Sequence, residues 1–269
     1  SLGNDVAKLL LTNRPELKDT FVSEIGSIVS AACLAHDLGN PPFGHSGERA
    51  ISTFFSEGKG MCLRETQPDG SKLTPAQWED FTHFEGNANA FRLLTHQFEG
   101  RRKGGFVLTY STLASIVKYP YSSSLAGNKS KFGFFTSEEE SFRRIAEDLG
   151  MKRLNDNPLK YARHPLVYLV EAADDICYQM MDIEDAYKLK ILTPHETHEL
   201  LLSYFNNERK AHIQRTLSMV SDANEQIAYL RSSVIGLLIR ECTHVFLENE
   251  NHILEGNFEG SLIQHISTG

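Results

Sequence analysis

The sequence predicts an all-α fold. Three observations carry it. Apolar residues recur at three- and four-residue spacing over long stretches, as in Leu166, Leu169, Ala172, Ala173 and Ile176. Two stretches, at Thr74-Pro75 and Thr193-Pro194, open on a hydroxyl followed by proline, which starts helices well. Phe106 to Tyr110 is the one persuasive short strand, so at most a minor hairpin is expected beside the helices.

Taken in order, Ser1 to Leu11 (Val6, Leu9, Leu10) reads as the end of a helix already under way, with no capping signal before it. The run Ile25, Ile28, Val29, Ala32, Cys33, Leu34 reads as a helix that reaches His36-Asp37 and is broken by Gly39 and Pro41-Pro42. After Glu48 a helix continues through Ile51 and Phe54-Phe55, and Gly58 to Pro75 is polar and turn-rich. Thr74-Pro75-Ala76-Gln77 supplies an N-cap, a first-turn proline and the far half of a capping box. Arg101-Arg102-Lys103-Gly104-Gly105 reads as a basic turn, and Ser111 to Val117 as a helix stopped near Pro120. Ser122 to Phe135 reads as loop. Ser137 followed by Glu138-Glu139-Glu140 reads as a hydroxyl cap with carboxylates on the helix dipole. A long helix follows Pro165, another starts at Thr193-Pro194-His195-Glu196, and Gly256 onward thins into a polar tail.

The chain has 269 residues and net charge −8, so it can bury a substantial core, and whole-surface attraction to nucleic acid or anionic membrane is not expected. Local basic patches remain compatible with that balance. No apolar segment approaches a membrane span, and no signal-peptide pattern opens the chain. Cys33, Cys62, Cys177 and Cys242 have no paired spacing and read as reduced core thiols of a cytoplasmic protein. No repeat, low-complexity tract or linker is evident.

Two clusters carry chemistry. His36-Asp37 places an imidazole and a carboxylate at an abrupt helix end, a donor pair suited to a borderline divalent ion such as Mn, Fe, Ni or Zn. His45 and Glu48 stand three residues apart at a helix start, so the carboxylate can fix the imidazole tautomer. Read alone, His45 equally packs and Glu48 equally serves the helix dipole. Asp174-Asp175, deep in an apolar helix, reads as buried carboxylates needing a cation or donors, or as a polar face or salt bridge. Asp174, Tyr178 and Asp182 recur every four residues near one helix face.

The stretch HDLGNPPFGHSGE, from His36 to Glu48, resembles the signature of the HD-domain phosphohydrolases, and within them the bacterial deoxyguanosine triphosphate triphosphohydrolases. Further blocks agree in the family's order: FTHFEGNANAFRLL from Phe81, LTYSTLASIVKYPY from Leu108, KFGFFTSEE from Lys131, and HPLVYLVEAADDICYQMMDIEDA from His164.

The resemblance implies a helical HD core over residues 1–190, with a C-terminal helical region, 191–269, packed on it. It implies a divalent metal, Mn or Mg first and Fe, Ni, Co or Zn compatible, held by His36, Asp37 and Asp174, with Asp175 in support. The family's first metal-binding histidine would then fall upstream of residue 1. His45 becomes the general acid or base, oriented by Glu48. His83, Lys118, Tyr119 and Lys131, with Arg49 as a further candidate, fall at triphosphate positions, and Tyr178 and Asp182 at the deoxyribose. The two lysines score as solvated side chains without the resemblance.

The implied reaction is hydrolysis of dGTP, or of dNTPs generally, to deoxynucleoside and triphosphate in the cytoplasm. The implied protein is a homo-oligomer, up to a hexamer, with nucleotide or single-stranded DNA effectors and no membrane association. Another HD activity, such as a nucleotidase or phosphodiesterase, would share the metal ligands but lack the HFEGN, VKYP and KFGFF blocks. A dNTP-sensing or DNA-associated binding protein with weak catalysis is the alternative of a different class.

Overall fold

A computed structural model describes residues 1–100, 105–127 and 130–267. Among these the chain is all-α, with twelve α-helices and one two-stranded antiparallel sheet. It divides into two compact units, one made of Ser1–Gly26, Glu171–Ile253 and Phe258–Gly269, the other of Ser27–Val170 and Leu254–Asn257.

In the first unit, α1 (Leu2–Asn13) packs on the long α11 (Ala223–Glu248). Leu2, Val6 and Leu10 recur every four residues and are buried, which puts one apolar stripe against that helix. On α11 the matching stripe is Ile227, Leu230, Val234, Leu238 and Cys242. Arg14 clamps Glu250 with two bonds of 2.8 Å, a bidentate geometry that also fixes direction. α9 (Pro194–Ser203) starts where the sequence predicts, opens with a capping box between Thr193 and Glu196, and buries Leu201 and Leu202. α10 (Asn207–Leu217) follows. The polar tail is more ordered than the sequence predicts: Ser261 and Gln264 form a capping box on a 3-10 turn, Leu262–His265, whose Leu262 is buried against α11. One apolar residue suffices to pin a polar segment.

In the second unit lie most of α2 (Ile25–Ala35), then α3 (His45–Ser56), α4 (Pro75–Thr82), α5 (Gly86–Thr95), α6 (Tyr110–Ile116) and α7 (Glu139–Asp148). The Thr74–Gln77 capping box forms as predicted. The core is aromatic: Phe134 stacks on Phe142 with ring centroids 4.7 Å apart, and Phe91 and Tyr161 meet Phe142 edge-on. Phe132 and Phe135 pack with Ala88. The Phe132–Phe135 loop therefore behaves as core, its aromatic side chains holding an irregular backbone in place.

Three expectations are corrected. Phe106 to Tyr110 is not a strand. It turns at Val107 (φ 57°) and enters α6, because the Thr109 hydroxyl accepts the Thr112 N–H and caps the helix. The strands are instead β1 (Arg153–Asp156) and β2 (Leu159–Tyr161), joined at Asn157-Pro158 with Asp156 opposite Leu159 and Arg153 opposite Tyr161. Nor does Ser137 cap α7: Glu138 holds that position, and the Ser137 hydroxyl donates to the Glu138 carboxylate. Of the four free cysteines, Cys242 is buried, Cys33 half-buried, and Cys62 and Cys177 exposed, so two are not core thiols. Residues 101–104 of the predicted basic turn lie outside the described residues. α8 (Val167–Lys188) begins in the second unit and continues into the first, and α12 (Glu250–Leu254) ends the helical sequence.

Candidate active site

Everything that positions the site begins where α2 stops. The His36 N–H still bonds the Ala32 carbonyl at 2.9 Å, and the chain then turns through Leu38 N–H to Ala35 O and Asn40 N–H to Asp37 O. The turn can lie against α5 because residue 39 is glycine. A Cβ there would come within 2.1 Å of both the Ala90 nitrogen and the Gly86 oxygen. The Asn89 amide closes the contact by donating to the Gly39 carbonyl at 2.9 Å. Phe43 (φ 68°) and Gly44 (φ 52°) then reverse the chain into α3, which starts at His45.

His45 Nδ1 lies 2.7 Å from Glu48 Oε2. The imidazole side chain is 74% exposed, whereas Glu48 is buried, so a fixed carboxylate holds an accessible ring. The other Glu48 oxygen accepts the Gly86 N–H at 2.8 Å. Burial alone would push the Glu48 carboxyl up, but the bonds from His45 and Gly86 and the Lys131 charge overcome it and hold the carboxyl below its ordinary range. Glu48 is therefore a carboxylate at neutral pH, and the proton of the pair sits on His45 Nδ1.

Lys131 joins this group. Its Nζ lies 2.8 Å from Glu85 Oε1 and 3.9 Å from Glu48 Oε2. Burial would lower the ammonium, yet the Glu85 bond and the charges of Glu85 and Glu48 raise it, so it stays cationic. Glu85 is wholly buried at the N-cap of α5, accepting the Asn87 and Ala88 N–H groups at 2.6 and 3.2 Å. Tyr121 stands in the same field: burial, then the neighbouring Tyr119 and the Glu85 charge, raise its hydroxyl.

The remaining candidates of the second unit are placed individually. His83 caps the end of α4, with Nδ1 3.0 Å from Glu79 Oε2. Lys118 lies over the Tyr119 ring at 5.8 Å, and Tyr119 meets Tyr121 edge-on at 6.2 Å. Arg49 donates to the Ser46 hydroxyl. In the first unit, Asp174 and Asp175 are half-buried rather than deep, because α8 turns that face away from its Ile176 and Met180 side. Tyr178 and Asp182 are exposed on α8. Thus His36 with Asp37, and His45 with Glu48 and Lys131, are brought together within one unit. Asp174, Tyr178 and Asp182 belong to the other.

The donor chemistry of His36 and Asp37 fits a divalent ion. His36 Nδ1 lies 2.7 Å from the Cys33 carbonyl, which places the ring proton there and turns Nε2 toward Asp37 Oδ1, 3.4 Å away. Two ligands each about 2.1 Å from one ion stand roughly 3–3.5 Å apart. Asn40 Nδ2 bonds the same Asp37 oxygen at 2.8 Å and orients it. Among the described residues no three His, Cys, Asp or Glu side chains gather as a metal-holding group.

Sequence reasoning missed Glu85, Gly86, Asn89 and Asn40. The signal was in the Glu-Gly-Asn that follows His83-Phe84: an acidic cap and a glycine in succession mark a helix start approached closely by another backbone or side chain. A Cβ on Gly86 would lie 2.2 Å from Asn40 Oδ1 and 2.9 Å from Glu48 Oε1.

No protein-family model matches the chain. Curated relatives do. A deoxyguanosinetriphosphate triphosphohydrolase-like protein of Pseudomonas aeruginosa is 40% identical over 99% of this chain and 58% of its own length. A protein of the same description from Synechocystis is 37% identical over 98% of the chain and 59% of its own length. A deoxyguanosinetriphosphate triphosphohydrolase of Yersinia enterocolitica is 29% identical over 99% of the chain and 59% of its own length. The chain thus spans a little under three-fifths of these relatives, and over that span it is similar to deoxyguanosinetriphosphate triphosphohydrolase-like proteins.

Proposed function

We propose that the protein containing this chain hydrolyses a deoxynucleoside triphosphate, with dGTP the first candidate, to the deoxynucleoside and inorganic triphosphate. One observation carries the reading: an exposed imidazole, His45, is bonded through Nδ1 to a buried carboxylate that two other groups also hold in place. A histidine that only packed would need none of this. With the Nδ1 proton committed to Glu48, Nε2 is the open base: it takes a proton from the attacking water and returns it to the 5′-oxygen as the Pα–O bond breaks.

Lys131 brings positive charge to the same place for the polyphosphate, and Glu85 keeps its ammonium from swinging away. Lys118, Tyr119 and His83 are assigned to the triphosphate, and Tyr178 and Asp182 to the deoxyribose, on the resemblance. His36 and Asp37 would hold the divalent ion, Mn or Mg, with Asp174 assigned as a further ligand. When bound, that ion supplies Lewis-acid polarisation of the phosphate and a nucleophilic water. Homo-oligomer formation, nucleotide or single-stranded DNA effectors and a cytoplasmic location are part of the same proposal. No helix among the described residues is long and apolar enough to cross a membrane.

Product analysis tests the reading. Incubation with each dNTP and Mn or Mg should release triphosphate and deoxynucleoside, and His36→Ala should abolish the reaction and lower the metal content of the purified protein. Pyrophosphate or orthophosphate as product would place the site in another phosphohydrolase class. Tight dNTP binding without turnover would favour a sensor.

A further inference from the structure

A cavity of about 340 Å³ lies in the second unit between α4, α5 and the Phe135–Ser137 segment, with neither His45 nor Glu48 in its walls. This volume falls within the roughly 300–1,000 Å³ of small-molecule sites, which are mainly apolar with a few convergent polar groups. Its walls are Phe81, Phe84 and Phe135, the last two with ring centroids 5.9 Å apart and planes inclined by 37°.

The polar groups are specific in what they still need. Asp80 is 7% exposed. Its Oδ2 accepts the Thr136 N–H at 2.8 Å, while Oδ1 is buried without a hydrogen-bond partner among the described residues. Burial holds this carboxyl above its usual range, although the Ser123 and Thr136 side chains and the Thr136 N–H favour the carboxylate. A buried acceptor left unmatched costs about 1–3 kcal/mol, so it calls for a donor. Asn89 spends its Nδ2 on Gly39, which leaves Oδ1 as a second acceptor. Gln77 spends Oε1 on the Thr74 N–H, which leaves Nε2 as a donor. Glu138 balances the Arg92 charge through Nη1 at 2.7 Å, with Ser137 bonding the same nitrogen at 2.9 Å, so beside Asp80 the lining carries no excess positive charge. An anionic ligand is therefore disfavoured.

We propose that this cavity binds a flat heteroaromatic ring carrying an exocyclic amine beside a ring nitrogen, packed against the aromatic wall that Phe81, Phe84 and Phe135 form. The amine donates to Asp80 Oδ1 and Asn89 Oδ1, and the ring nitrogen accepts from Gln77 Nε2. The inference stands apart from the hydrolase reading, since no group assigned to catalysis lines the cavity.

Adenine and purine make the test pair, as they differ by the exocyclic amine alone. Equilibrium dialysis against the intact protein should show adenine bound at one site, and purine bound about tenfold or more weakly. Leu73→Trp, at the half-exposed rim, should fill the cavity and abolish adenine binding while leaving the core intact. Asp80→Asn should weaken adenine by a similar factor. Absence of adenine binding at millimolar concentration, equal binding of purine, or unchanged binding by Leu73→Trp would each overturn the proposal.

Discussion

The Glu48 carboxylate serves two donors with two oxygens, and that division makes sharp predictions about single residues. In Glu48→Gln one oxygen remains for two N–H groups, and the new amide NH₂ faces a donor. Leaving such a group unmatched costs about 1–3 kcal/mol, which corresponds to roughly 5- to 150-fold in rate if the loss is felt in the transition state. Steady-state kinetics should show this in kcat with KM nearly unchanged. An unaffected kcat would mean that His45 does not depend on Glu48. Gly86→Ala should act on the same pair from the other side, because its Cβ would meet Asn40 and Glu48. Overpacking of this kind costs about 1–3 kcal/mol, so a lowered melting temperature should accompany the fall in activity. His164 gives a pH test elsewhere in the second unit. Burial pushes its imidazole from 6.5 down to about 4. Its neutral form is thus favoured on folding, so its contribution is whole above 6.5 and is lost as pH falls from 6.5 toward 4. Between pH 7 and 5 that loss is about 2 kcal/mol for such a shift. Glu48 adds nothing in that window, since its depressed carboxyl loses stability only as pH falls below 4.5. Urea unfolding should show a steeper pH slope in the native protein than in His164→Asn, where His198, also pushed down by burial, keeps the remainder. An equal slope in both would refute the assignment.

At the scale of elements, caps decide which readings of the sequence survive. Thr74 and Gln77 satisfy each other's neighbouring N–H groups at 3.2 and 2.9 Å, and the helix they start carries Asp80 and ends at His83. Thr74→Ala should cost about 1 kcal/mol of stability, read as a lower denaturant midpoint with an unchanged slope. This cap and the one at Thr193 were legible because both halves of the box lie within four residues. So was the break after Asp37, since glycine and two prolines cannot continue a helix. Phe106 to Tyr110 misled for a local reason: its aromatic and β-branched residues fit a strand, but no partner strand forms there among the described residues and Thr109 offers a cap instead. The real hairpin, Arg153–Asp156 with Leu159–Tyr161, is charged on its exposed side and shows little strand pattern. Glu85 and Lys131 were illegible as a pair because 46 residues separate them. Sequence spacing reports neighbours within a helix, whereas this contact depends on the buried aromatic residues that carry the Lys131 loop over the start of α5.

At the scale of the molecule, the site residues divide between two units, with the His45–Glu48–Lys131 group and the His36–Asp37 pair in one and the Asp174–Tyr178–Asp182 stripe in the other. The fold class was legible in full from helical spacing. Of the candidate site in the second unit, the residues His36, Asp37, His45 and Glu48, which are local, could be named from the sequence, and the glycines and buried carboxylates that hold them could not. The central claim is that His45, oriented by Glu48, transfers the proton during triphosphate release. The most direct measurement is the rate of triphosphate release from saturating dGTP by the full-length protein with Mn, native against His45→Ala, under conditions where both bind substrate equally. Loss of a positioned acid or base predicts a fall of about 10²- to 10⁴-fold with triphosphate still the product. An unchanged rate in His45→Ala would contradict the account.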